Sequence, residues 1–134
     1  MSKSLIQVVN TTSQTLTDNS TIGLGTATRR YGCNCRLNGN AIEINGEGYF
    51  LVDATITVAP TAVGTVQVAL YENGSIVPGS LSTGSVSTAN NPVTLPIVAT
   101  IRRGCCCESA DNITLVLISG AGAVTNVSFR VEKS

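Results

Sequence analysis

The sequence contains no histidine and no tryptophan, and a single methionine. Histidine is the side chain best suited to moving protons near neutral pH, so its absence removes the commonest general acid and base. Without tryptophan, the Cys…Trp…Cys signature of true immunoglobulin domains is excluded. Aromatic residues make up only 4% of the chain, which argues against the aromatic platforms of carbohydrate-binding sheets. Charged residues are 12%, roughly half the soluble average of about 25%. Eight basic and eight acidic residues cancel, so the phosphate-neutralising excess that nucleic-acid binding demands is missing. No run of 18 or more apolar residues exists to cross a membrane as a helix. Met1–Asn10 lacks the apolar core and small-residue cleavage site of a secretory signal, so either synthesis in the cytoplasm or prior removal of an export signal is expected. Neither a phosphate-cradling glycine loop with lysine nor a nucleophile elbow is present, and no heptad, collagen or solenoid repeat appears.

What the chain has is 134 residues, 43% of them hydrophobic, enough for one domain with a substantial core. Val, Ile and Thr dominate, and they are stiff at χ1 and suited to a pleated surface. From residue 40 onward the apolar period is two. Phe50, Val52, Ala54, Ile56 and Val58 share one face, against Asp53, Thr55 and Thr57 on the other. The same alternation places Val66, Val68 and Leu70 together, then Val93, Leu95, Ile97, Ala99 and Ile101, then Ile113, Leu115 and Leu117, then Val127, Phe129 and Val131. Such alternation means strands with one buried face. Asn45-Gly46, Asn73-Gly74, Pro78-Gly79 and Ser119-Gly120 supply turn chemistry between the runs, and Asn73-Gly74 is a strong hairpin signal. Pro96 removes a ladder donor, which predicts an edge strand or a bulge. No window predicts a helix. These features predict an all-β, antiparallel two-sheet sandwich of about eight to ten strands, of which the jelly roll is one form.

The first 39 residues differ in character. Leu5–Val9 and Thr26–Tyr31 read as short strands, separated by a polar Thr/Ser/Asn tract at Asn10–Ser20 and a glycine-punctuated turn at Thr21–Gly25. We divide the chain at residue 20. Residues 1–20 form a strand and polar arm, with Leu5, Ile6, Val8 and Val9 as candidate anchoring residues, and residues 21–134 form the sandwich.

Thr21–Gly32, Leu37–Ile44, Gly48–Val58 and Ala69–Gly79 resemble segments of small proteins encoded by phages and prophages of Gram-positive bacteria. Those are similar in turn to the tumour necrosis factor-like jelly roll at the ends of collagen-like spore-surface proteins. The resemblance spans roughly residues 21–132 and rests on structural motifs. It implies a jelly roll, a homotrimer, and a role as a capsid decoration or head-fibre subunit on the virion surface, with the major capsid protein or another virion component as partner. The Gly-X-Y tract of the spore proteins is absent, which favours the virion role. The alternative is a receptor- or glycan-binding tip, with a host-surface glycan as ligand and Ser75–Ser80 and Ser87–Asn91 as binding loops.

Five cysteines fall in two clusters, Cys33 and Cys35, then Cys105, Cys106 and Cys107. Three readings are open. The clusters meet and form disulfides, bridging between clusters because adjacent cysteines pair poorly. Four thiolates, Cys33, Cys35, Cys105 and Cys107, bind zinc, although neither cluster has the usual spacing. Or the thiols pack as small hydrophobes. Zinc content after purification without chelator separates the second from the others. Arg29, Arg30, Arg102 and Arg103 precede the clusters, as an electropositive patch for an anionic partner or as ordinary ion pairs. Glu43 and Glu47 flank Asn45-Gly46 and could approach across a hairpin, although solvated turn charges are the plainer reading. Neither a catalytic site nor a cofactor is expected, and a structural or binding role is. Apolar residues on second strand faces, Leu51, Val98, Val116 and Ile118, together with Tyr49, are the candidate oligomer interface, because exposed they would form an unusual apolar patch.

Overall fold

The longest apolar alternation, from Gly48 onward, becomes the strand around which the rest is arranged. The computed structural model describes residues 4–104 and 110–133. These residues form thirteen strands and no helix, in order β1 (Ser4–Asn10), β2 (Gln14–Leu16), β3 (Ser20–Thr21), β4 (Thr26–Tyr31), β5 (Cys35–Asn38), β6 (Ala41–Ile44), β7 (Gly48–Pro60), β8 (Gly64–Glu72), β9 (Ser75–Ile76), β10 (Ser82–Val86), β11 (Val93–Arg103), β12 (Asp111–Ser119) and β13 (Gly122–Lys133). The excess over eight to ten comes from two- and three-residue strands such as β2, β3 and β9, too short to show a period. No helix in the described residues is long and apolar enough to cross a membrane.

The strands form two antiparallel sheets. The first runs β11-β7-β13-β1-β4, with β2 alongside β13. The second runs β10-β8-β12-β6-β5, with β3 alongside β12 and β9 alongside β8. The chain passes repeatedly from one sheet to the other, the connectivity of a jelly roll. Between the sheets lies a single dry core. Phe50, Val52, Ile56 and Val58 of β7 and Val127, Phe129 and Val131 of β13 meet Val66, Val68 and Leu70 of β8 and Ile113, Leu115 and Leu117 of β12, all buried. Every residue that the alternation assigned to the inner face of these four strands is there.

Local chemistry fixes the register. Asn73 and Gly74 both take positive φ (52° and 86°) between the pairs Glu72↔Ser75 and Tyr71↔Ile76, the two-residue hairpin turn whose twist suits β-strands. At Val77–Ser80, Gly79 has φ 84° after Pro78, and the Ser80 N–H donates to Val77 O (3.1 Å). The buried Ser80 hydroxyl accepts from the Leu70 N–H (3.1 Å) and donates to Val77 O (2.7 Å), which pins this turn to β8. Pro96 lies on β11, which pairs only with β7, so its missing donor falls at the sheet edge as expected.

The division at residue 20 is not a structural one. β1 pairs on one side with β13, Ser4 opposite Lys133 through Asn10 opposite Val127, and on the other side with β4. Ile6 and Val8 are fully buried in the core, and β2 and β3 carry the polar tract from the first sheet to the second. Leu5 and Val9 are half-buried on the opposite side of β1. Period-two burial commits Ile6 and Val8 to the interior, so of the candidate anchoring residues Leu5, Ile6, Val8 and Val9 only Leu5 and Val9 face outward.

Phe129 sits at the centre of the first sheet with no exposure. Phe129→Ala is expected to lower unfolding free energy by about 3–5 kcal/mol, read from the shift of the urea midpoint at constant m-value.

Candidate interaction surface

The outward face of the first sheet is built from the residues that β7, β11 and β13 do not send inward. Register places Leu51 between Glu132 and Thr100, and Asp53 between Arg130 and Val98, with Tyr49 beside Arg102 one step further along. Tyr49, Leu51 and Val98 are 54%, 43% and 72% exposed, a concentration of apolar side chains on a chain with few aromatics. A shallow depression of about 220 Å³ lies beside Leu51 and Val98, lined also by Thr100, Arg130 and Glu132. The only ion pair among the described residues of this face is Arg130 Nη2 to Asp53 Oδ2 at 3.2 Å, half-exposed on both sides and so worth little to the isolated subunit.

Val116 and Ile118 do not join this face. Both belong to β12 in the second sheet. Val116 is already covered within one subunit at 9% exposure, between Ala69 of β8 and Thr21 of β3. Ile118 falls where the pairing of β12 with β8 shifts, between Leu117 and Ser119. The sequence shows that both faces of β12 are apolar; it does not show that β3 crosses beside one of them. Val116 is therefore covered within one subunit, Ile118 stays half-buried on the second sheet, and Tyr49, Leu51 and Val98 stand together on the first.

The remaining candidates separate. Cys33 is exposed and Cys35 is buried, and neither is in a disulfide. Burial pushes the Cys35 thiol up to about 11, against the pull of Lys133 and Arg30, so it stays protonated and packs as a core residue. Cys105, Cys106 and Cys107 lie outside the described residues. Glu43 does not pair with Glu47: it faces Arg36 across the β5–β6 hairpin, with Arg36 Nε donating to Glu43 Oε1 at 2.8 Å. Of the four arginines, Arg29, Arg30 and Arg102 are exposed. Arg103 is buried: its Nε donates to Gly46 O (2.8 Å) and its Nη1 lies 2.6 Å from Asp111 Oδ2, joining the end of β11 to the start of β12.

That arginine anchors a carboxyl pair that residue spacing could not reveal, because it depends on the register of β8 against β12. Asn73 Nδ2 donates to Asp111 Oδ1 (2.8 Å), and the Asn112 N–H returns a bond to Asn73 Oδ1 (2.9 Å). Burial works against the Asp111 carboxylate, but hydrogen bonds from Glu72, Asn73 and Arg103 outweigh it and hold Asp111 below its ordinary range. Glu72 is pushed up to about 7, first by burial, then by its bond to Asp111 and the charge there, against the pull of Arg103. The opposite shifts leave Asp111 the more acidic of the two carboxyls.

The fold is a jelly roll similar to those of several solved structures. Murine APRIL superposes with a TM-score of 0.76 at 10% identity, over 99% of this chain and all of that one. The globular domain of zebrafish complement 1qA gives 0.70 at 6% identity, over 95% and 94%. The PRD1 vertex protein P5 gives 0.64 at 11% identity, over 97% and 96%. No protein-family model matches the sequence, and no curated protein matches it as a relative.

In the folded chain Glu72 keeps its proton to about pH 7, whereas in the unfolded chain it loses it near 4.5. Between those values the native state binds more protons than the unfolded state, so this group's contribution to stability is lost as pH rises through the window. Glu72→Gln, which keeps a donor toward Asp111, is expected to raise the melting temperature relative to the parent at pH 8 and to leave it little changed at pH 4. Thermal unfolding across that range checks the sign.

Proposed function

We propose that the protein is a structural virion component, a homotrimeric jelly roll that sits on the surface of a phage particle as a capsid decoration or head-fibre subunit. The observation that carries this reading is the exposed group Tyr49, Leu51 and Val98 on the outward face of the first sheet. Three exposed apolar side chains on one sheet face, two of them lining a depression, on a protein of zero net charge, leave surface that favours association. A cyclic arrangement covers that face identically in every copy and leaves none over. Burying a side chain such as Leu51 or Val98 fully contributes about 1.5–3 kcal/mol, and three subunits multiply the contribution.

The virion setting draws support from the likeness to the PRD1 vertex protein P5 and from the resemblance of the sequence to phage-encoded proteins. A structural role, not a catalytic one, fits a chain without histidine in which a buried arginine ties Asp111 to the junction of β11 and β12. The mechanism is geometric: the core sets the rigid face, the face closes the trimer, and the trimer presents three copies of every loop to the outside.

The native mass of the purified protein is expected to be three times 13.8 kDa, and Leu51→Glu with Val98→Glu is expected to reduce it to the single-chain value without loss of β structure. A single-chain mass for the parent at micromolar concentration sinks the assembly. Absence of the protein from purified virions sinks the virion role.

A further inference from the structure

The strand β4 is the one six-residue strand of the described structure with no buried residue: all of Thr26–Tyr31 is exposed. A strand in a sandwich ordinarily turns one face to the core. Here β4 hangs beyond the core at the edge of the first sheet, bonded to β1 on one side and, among the described residues, to no strand on the other. Its outer edge is therefore a row of backbone donors and acceptors about 20 Å long without a partner strand, by the rise of an extended chain, and within β4 the Arg29 Nη1 donates to Thr28 O at 3.0 Å.

The chemistry of this edge is one-sided. Arg29 and Arg30 lie in its C-terminal half, and neither has a carboxylate partner among the described residues, where the ion pairs are Arg36–Glu43, Arg103–Asp111 and Arg130–Asp53. The adjoining strand β1 contains no charged residue. Between Ser4 and Leu37 the only carboxylate is Asp18, which accepts a bond from the Ala121 N–H. Register fixes which way each arginine points: Arg29 lies opposite Gln7, on the outward side of the sheet, and Arg30 opposite the buried Ile6, on the inner side.

We propose that β4 is a docking edge for an extended acidic segment of another protein, which adds to the first sheet as a further strand. Backbone bonds to β4 supply the attachment, as in strand-addition complexes. Arg29 and Arg30 supply selectivity. Because they face opposite sides, the incoming strand meets both only if it carries two adjacent acidic residues, one pointing to each side. The site is independent of the assembly face, since β4 and β11 are the two opposite edges of the sheet. A monomeric protein would still carry it, so failure of the trimer and failure of this edge are separate results.

The test uses the full chain and a synthetic ten-residue Thr/Val peptide with a central Asp-Glu, beside a version with Lys-Lys in its place. The acidic peptide is expected to slow backbone amide exchange across Thr26–Tyr31, and the Lys-Lys version is not. Binding is expected to weaken about tenfold or more in Arg29→Gln with Arg30→Gln, and also at roughly 0.5 M salt, where exposed charges are screened. Both substitutions are at exposed positions, and circular dichroism confirms that the variant folds. Four results overturn the proposal: no protection of Thr26–Tyr31 by the acidic peptide, equal binding of the Lys-Lys version, protection that survives the double substitution, or tighter binding of a single-stranded oligonucleotide than of the acidic peptide.

Discussion

Two sheets can share one core only if every strand crossing between them keeps its apolar side chains on the inner side, and this chain meets that demand through period-two alternation sustained over long strands. β7 holds it from Phe50 to Val58, and β11 and β13 align on either side of β7 with buried residues opposite buried residues. A slip of one residue in either pairing would turn a whole apolar set to solvent. Where the alternation breaks, the structure accommodates it locally, as at the shifts between Val124 and Asn126 and between Leu117 and Ser119. The core therefore sets the outward faces too: the residues left outside are those the inner pattern does not use, and Tyr49, Leu51 and Val98 are among them.

The strands with sustained alternation were legible because burial writes directly into residue order. So were the turns at Asn73-Gly74 and Pro78-Gly79, where the backbone demands particular residues, and the edge position of Pro96. What was not legible depends on which strands become neighbours. Ile6 and Val8 read as a sticky arm because nothing local shows that β13 and β4 will flank them. Val116 read as interface because β3 is a two-residue strand with no pattern of its own. The pairing of Glu72 with Asp111 joins residues far apart in the chain, and Arg103 looked like surface charge because its partners Gly46 and Asp111 arrive from other strands. Composition determined how many charges the chain has; topology determined which of them went inside.

The scarcity of charge gives each remaining ionic group more weight. In the described residues the only buried arginine is tied to the carboxylate that opens β12, and that carboxylate is tied to the turn after β8. Removing one member of such a group leaves another buried without compensation, which costs far more than the intact pair contributes. At the far edge of the same molecule, Arg29 and Arg30 stand in water with no carboxylate opposite. One arginine serves to join strands already present, and the others remain available to a strand that is not.

The pairing of β1 with β13 also has a kinetic side. The first strand lies between the last strand and β4, so its inner neighbour does not exist until nearly the whole chain has been made. Contacts of such long sequence separation close slowly, because the entropy of a large loop is lost before any of its bonds form. On a ribosome, Ser4–Asn10 would wait with Ile6 and Val8 uncovered while more than a hundred residues follow it out.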